Sequence, residues 1–212
     1  MTIGVLALQG DFEAHKRILE DAPQVHRVLE VRTANALGEC DGLILPGGES
    51  TTMSRLCDRY NLWEPLNQRL QLGMGALGTC AGLILLSKNI EGATRNFQQK
   101  TLGALDVDVS RNAYGAQVDS FETDLQPENA LSQDERDEEK KLSPLRAVFI
   151  RAPRITRCGE SVQVLARHKG EAVAVRQGLI VASAFHPEIA GEARLHLFWV
   201  RLIAQSANSN AN

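Results

Sequence analysis

No stretch of this sequence stays apolar for the roughly 18 residues that a membrane-spanning helix needs. The opening MTIGVLALQGD lacks the length, basic flank and cleavage site of a secretory signal. An excess of one charge is missing too: 23 Lys and Arg face 26 Asp and Glu, for a net charge of -3. With no basic stripe along the chain, nucleic acid is not an expected partner. Cysteine is sparse and scattered. Cys40, Cys57, Cys80 and Cys158 form no CxxC pair and no dense framework, which argues against structural zinc and against a disulfide scaffold. These absences predict a cytoplasmic protein with no membrane and no nucleic-acid partner.

What is present suits one globular domain. The chain has 212 residues, 43% of them hydrophobic and 23% charged, enough to bury about 70% of the unfolded surface. TIGVLAL (2–8) is a buried-strand run, followed by helical spacing over 11–22; HRVLEVR (26–32) alternates like a strand, and DGLILPGG (41–48) is a β-rich run stopped by Pro46 and two glycines. The next segment keeps the helical spacing of Met53, Leu56, Cys57 and Tyr60, with Ser50, Thr51 or Thr52 as its expected cap. A helix over 62–73 tolerates Pro65 in its first turn. MGALG is a weak strand by propensity, placed by its position before Cys80 and the helix that AGLILL opens.

The second half reads as short strands over 102–109, 118–124, 146–152, 161–168, 172–177 and 179–186, with a closing helix marked by Leu195, Phe198, Trp199 and Leu202. The expected fold class is α/β: a mostly parallel open sheet flanked by helices, with a small antiparallel extension. One domain spans 1–205, with a charged surface insertion at about 126–144 and a flexible tail at 206–212.

Cys80 is the residue with a turn built around it. In Gly78-Thr79-Cys80-Ala81-Gly82, a strand-to-helix elbow puts the sulfur at the carboxyl edge of the sheet near a helix N-terminus, and the backbone N–H of Ala81 can face a developing oxyanion. An ordinary thiol is only about 3% thiolate at neutral pH, so a base is required. Among five histidines, His15, His26 and His196 fall inside helices or strands as exposed or packed imidazoles, and His168 ends a strand among charges. His186, in SAFHPEI, follows a strand and precedes Pro187, with Glu188 placed to hold one ring nitrogen while the other faces a thiol. Cys40, Cys57 and Cys158 read as buried core thiols. A second glycine loop, LPGGES, offers bare backbone amides for an oxyanion hole and lacks the lysine of a phosphate-binding loop.

LPGGES, GTCAG and FHPE, in that order, resemble triad-type class I glutamine amidotransferases. IGVLALQGDFEAH, DGLILPGGESTTM, GTCAGLILL, RNAYGAQVDSFE, VFIRAP and FHPE narrow the resemblance to the glutaminase subunits of two-component pyridoxal 5′-phosphate synthases. The resemblance implies hydrolysis of L-glutamine to glutamate and ammonia, without metal or cofactor, and delivery of the ammonia to a separate synthase subunit in vitamin B6 biosynthesis. It implies Cys80 as nucleophile, His186 as base and acid, and Glu188 as the residue orienting His186. Gly48, Glu49, Ser50, Arg111, Ile150 and Arg151 match glutamine-contacting positions, with Gly48 and Ala81 forming the oxyanion hole. A guanidinium in such a pocket suits an α-carboxylate. The alternatives are a glutaminase serving another synthase, a cysteine peptidase or γ-glutamyl hydrolase on the same elbow, or a non-catalytic binding module.

Overall fold

The computed structural model describes residues 1–91, 99–111, 120–128, 131 and 143–209. The apolar run at the start becomes β1 (Thr2–Leu6), buried from Ile3 onward. The helix after it, α1 (Phe12–Glu20), starts at Asp11, whose carboxylate accepts from the Ala14 N–H at 3.2 Å. β2 (Arg27–Val31), α2 (Ala34–Gly38), β3 (Gly42–Leu45), α3 (Ser50–Arg59), α4 (Trp63–Gln71), β4 (Gly75–Thr79) and α5 (Ala81–Leu86) continue the alternation. The short α2, capped by Thr33, has no counterpart in the sequence reading. The cap of α3 also differs from expectation. Glu49 takes that role, accepting from the N–H groups of Thr51 and Thr52 at 3.1 and 2.6 Å. Ser50 is already helical and turns its hydroxyl inward to Gln99, at 3.1 Å.

The remaining strands are β5 (Ser87–Glu91), β6 (Leu105–Ser110), β7 (Phe121–Leu125), β8 (Leu145–Phe149), β9 (Arg154–Cys158), β10 (Gln163–His168), β11 (Glu171–Gln177) and β12 (Ile180–Ser183), and α6 (Arg194–Ser209) follows them. The main sheet has seven strands in the order β10-β11-β12-β4-β3-β1-β2; the five from β12 to β2 are parallel, and β11 and β10 add on antiparallel. The expected fold class is therefore observed. The antiparallel material is not one extension, however: besides β11 and β10, antiparallel pairs occur in two small separate sheets, β5-β6-β9, in which β5 and β6 are parallel and β9 antiparallel, and β7-β8. The reason lies in the side chains. LDVDVS in β6 buries every second residue and leaves the others partly exposed, which suits a sheet covered on one face and not a strand buried on both.

β4 shows tertiary packing overriding propensity. All five residues of GALGT are buried in the middle of the sheet, where α6 lies close. A Cβ at Gly75 would come within 2.8 Å of Ile203, and one at Gly42 on β3 within 2.6 Å of the same side chain. The helix and sheet thus approach at a distance that only glycine permits, and Trp199, Phe198 and Leu195 complete the buried seam.

Most of the 126–144 insertion lies outside the described residues. Of its described part, Leu131 is buried and Pro127 bridges Ala166, so these points are tied to the body of the domain. Helix α6 continues through Ser209, four residues into the segment read from sequence as a tail. Cys40 and Cys57 are buried as expected, whereas Cys158 is only half-buried. Among the described residues no helix is long and apolar enough to cross a membrane.

Candidate active site

Four neighbouring parallel strands, β12, β4, β3 and β1, end on the same edge of the sheet, and each runs directly into a segment of the site. β4 leads to Cys80, β3 to residues 47–50, β12 to His186 and β1 to Gln9. Segments far apart in the chain meet there because parallel neighbours place their carboxyl ends side by side. The register makes this concrete, with Thr79 opposite Ser183 and Gly78 opposite Leu45.

Cys80 has φ 48° and ψ -98°, a conformation that costs a non-glycine residue about 1–3 kcal/mol. Its N–H donates to the Ser183 carbonyl at 2.8 Å, and its carbonyl accepts from the Ile84 N–H at 3.3 Å. The flanking glycines are fixed by close backbone approach: a Cβ at Gly82 would sit 2.0 Å from the Leu45 carbonyl oxygen, and one at Gly78 would sit 2.7 Å from the carbonyl carbon of Gly82. The G-x-C-x-G spacing is therefore a packing requirement of the elbow. The sulfur, in a residue 6% exposed, lies 4.0 Å from the Ile150 carbonyl.

His186 faces that sulfur. Its backbone N–H donates to the Val148 carbonyl at 2.8 Å, which ties the FHPE turn to β8. Its Nδ1 lies 2.6 Å from Glu188 Oε1, so Nδ1–H donates to the carboxylate and Nε2 is left for the sulfur. Burial opposes a charge on this ring. The sulfur of Cys80 and the carboxylate of Glu188 outweigh it and push the His186 pKa up to about 10. Gly47 must be glycine here, because a Cβ would lie 2.1 Å from His186 Cε1.

A cavity of about 290 Å³ opens over Cys80 and His186. It is lined by Gly48, Glu49, Ser50, Arg111, Ile150 and Arg151, all six of the residues matched to glutamine contacts, together with Gln9 and Ile84. Ala81 is the first residue of α5 and Glu188 lies behind the His186 ring, so neither lines the cavity. Gly48 has φ +146°, favouring glycine, and a Cβ there would meet the Gln9 amide at 2.5 Å. The Glu49 carboxylate is turned to Thr51 and Thr52; burial opposes its ionisation, but bonds from these residues prevail and hold its pKa below the usual value. Arg111 Nη1 donates to Gln99 Oε1 at 2.9 Å and Nη2 to Thr51 Oγ1 at 3.0 Å, with Glu49 Oε1 3.7 Å away. Arg151, at φ 45°, extends the positive side of the cavity. The rest of the RNAYG stretch, residues 112–115, lies outside the described residues.

Several contributors are not singled out as site residues by the sequence, although Gln9 and His15 both lie within the stretch IGVLALQGDFEAH. Gln9 Oε1 accepts from the Glu49 N–H at 3.0 Å, fixing the loop after β3. Gln99 joins Ser50 to Arg111. The sequence reads His15 and His196 as ordinary imidazoles of helices, yet both are fully buried and bonded to each other at 2.8 Å, with His15 Nε2 3.6 Å from Glu188. One signal for His15 is present: Phe12, His15 and Leu19 share a helical face that also carries the apolar contacts of α1.

The chain is similar to known proteins along nearly its whole length. The SNO glutamine amidotransferase family model matches residues 5–205. Pyridoxal 5′-phosphate synthase subunit PdxT of Acidothermus cellulolyticus is 48% identical over 210 residues, covering 97% of this chain and 95% of that protein. The subunit of the same name from Kosmotoga olearia is 45% identical, covering 96% and 98%. A crystal structure of a glutamine amidotransferase superposes with a TM-score of 0.80 at 41% identity, covering 95% of this chain and 98% of the other. With this match along nearly its whole length, the chain belongs to the SNO glutamine amidotransferase family.

Proposed function

We propose that the protein is the glutaminase component of a pyridoxal 5′-phosphate synthase. It hydrolyses L-glutamine through a Cys80 thioester and passes ammonia to the synthase subunit. The observation that carries this reading is the line from the Cys80 sulfur to the His186 imidazole, both in a cavity that also holds Arg111, and on to the Glu188 carboxylate behind the ring. The relatives named as synthase subunits supply the assignment of partner.

Glutamine enters with its α-carboxylate toward Arg111 and Arg151 and its side-chain amide over Cys80. Thr51 and Gln99 fix the Arg111 guanidinium and limit the freedom lost on binding. The thiolate attacks the amide carbon, and the C=O pair moves onto oxygen, where the backbone N–H groups of Gly48 and Ala81 receive the oxyanion. His186 delivers its Nε2 proton to the amide nitrogen, the C–N bond breaks, and ammonia leaves a glutamyl thioester. Water then gives a proton to His186 and adds its oxygen to the thioester carbon; the C–S bond breaks, releasing glutamate and restoring the thiolate. Glu188 keeps His186 in the tautomer that both steps require.

The test measures ammonia release from glutamine with and without the synthase subunit. The wild-type protein is expected to turn over with its partner. Cys80→Ala and His186→Ala are expected to lose at least about 10³-fold in rate while remaining folded. Absence of synthase-dependent ammonia release from folded wild-type protein would reject the role.

A further inference from the structure

Behind the carboxylate of Glu188 lies a second pair of titratable side chains that the mechanism above does not use. His15 comes from α1 and His196 from α6, 181 residues apart in the chain, and both are fully buried. Their rings are tilted at 46° with centroids 5.1 Å apart. His15 Nδ1 lies 2.8 Å from His196 Nε2, and His15 Nε2 points toward Thr79 Oγ1 at 3.3 Å and Glu188 Oε1 at 3.6 Å. Thr79 immediately precedes the nucleophile. Among the described residues, Glu188 Oε2 and His196 Nδ1 are buried without a hydrogen-bond partner.

These contacts decide the tautomers. If His15 Nδ1 carried the proton, its bare Nε2 lone pair would face a carboxylate, and His196 would be left with a buried, unpaired Nδ1–H. Reversing the bond removes both penalties: His196 Nε2–H donates to His15 Nδ1, and His15 Nε2–H faces Thr79 and Glu188. The orphan at His196 Nδ1 is then an acceptor, which proteins tolerate better than a buried orphan donor. Protonating either ring is opposed. Burial first, then His196 and His186, hold the His15 pKa well below its ordinary value. Burial likewise holds His196 down to about 4, although Glu192 works the other way.

We propose that His15, oriented by His196, is a positioning residue that presents a neutral N–H dipole to the inner side of Glu188 and so fixes the carboxylate against His186. At 3.6 Å the contact is longer than a hydrogen bond. In a dry interior a dipole at that range still biases the carboxylate's orientation. A neutral donor suits the site better than a lysine or arginine would. A full positive charge beside Glu188 would compete with the imidazolium of His186, whereas a dipole leaves the carboxylate's charge for that ring. The pair also links α1 and α6 to the residue before Cys80, so one polar cluster braces both ends of the catalytic line.

The inference rests on the glutaminase reading, and its test separates the two. In the wild-type protein, long-range ¹H–¹⁵N NMR of the histidine rings should show both His15 and His196 neutral and protonated at Nε2 at neutral pH. Protonation of His15 at Nδ1 would overturn the proposal, and this measurement needs neither a variant nor turnover. In the complex with the synthase subunit, His15→Leu should lower kcat by about 10-fold with KM within about twofold of wild type. His15→Gln, which can keep an N–H facing Glu188, should recover most of that loss. Folded His15→Leu with wild-type kcat, or His15→Gln as impaired as His15→Leu, would also overturn it. If the wild-type complex itself releases no ammonia, the glutaminase reading fails while the tautomers remain measurable.

Discussion

Cys80 sits in a backbone conformation that a side-chain-bearing residue avoids, and the surrounding structure leaves it no alternative. The Ser183 carbonyl accepts its N–H, Ile84 donates to its carbonyl, and Gly78 and Gly82 allow the chain to fold tightly on either side. The same rigidity holds the sulfur against His186, and there the physics is electrostatic. The Cys80 sulfur and the Glu188 carboxylate overcome burial and raise the pKa of His186 to about 10 from an ordinary 6.5. A raised pKa means that the proton stabilises the fold in full below pH 6.5, and this contribution is lost as pH rises through about 10. Removing the sulfur should lower that upper limit. In Cys80→Ala, NMR titration of the His186 ring should give a lower pKa than in wild-type protein, and an unchanged value would show that the sulfur does not hold the proton. The positions of Cys80, His186 and Glu188 are legible in sequence because each lies in a short motif whose spacing follows from local chemistry. His15 closes the stretch IGVLALQGDFEAH without any local spacing that assigns it a role, and His196 lies in no such motif. Their partnership depends on two helices at opposite ends of the chain meeting beneath one strand.

At the scale of elements, the elbow depends on the contact between α5 and β3. Gly82→Ala would push a methyl group to 2.0 Å from the Leu45 carbonyl, a backbone atom that cannot move without shifting the loop after β3. Calorimetry should show a destabilisation of about 1–3 kcal/mol. Gly38→Ala, which meets nothing within 4 Å in α2, should be neutral or slightly stabilising. The start of α3 supplies another test. Glu49 caps it, and because the folded-state pKa of its carboxyl is depressed, the stabilisation is present above the unfolded value of about 4.5 and is lost as pH falls through the folded value. Glu49→Ala should lower Tm by about 2–4 °C at neutral pH, corresponding to about 1 kcal/mol, with the gap closing in acid. The sequence pattern marks this helix but points to Ser50, Thr51 or Thr52 as cap. Those types are the stronger caps in general. Here the tight turn after Gly48 places the longer Glu49 side chain where it reaches two free amides, and Ser50 is drawn inward to Gln99.

At the scale of the whole molecule, five parallel strands and their crossovers form a scaffold whose carboxyl edge gathers the site. This half is readable because each βα unit is written in consecutive residues, with its hydrophobic period and turn signals intact. The second half is readable as strands but not as sheets. β6 pairs with β9, and β7 with β8, across long intervening segments, and neither propensity nor period names a partner. β5 and β9 escape a reading of pattern alone: SKNIE and RITRC mix charge with few apolar residues and take strand form through their pairing with β6. Among its described residues the charged insertion contributes a buried anchor, Leu131, that its composition does not announce.

If the sulfur of Cys80 opens glutamine, the glutamyl thioester can be trapped by rapid acid quenching of the synthase complex during turnover, followed by peptide mass spectrometry. A glutamyl adduct is expected on the peptide containing Cys80 and none on those containing Cys40, Cys57 or Cys158. An adduct on another residue, or undiminished ammonia release from the Cys80→Ala complex, would contradict attack by Cys80.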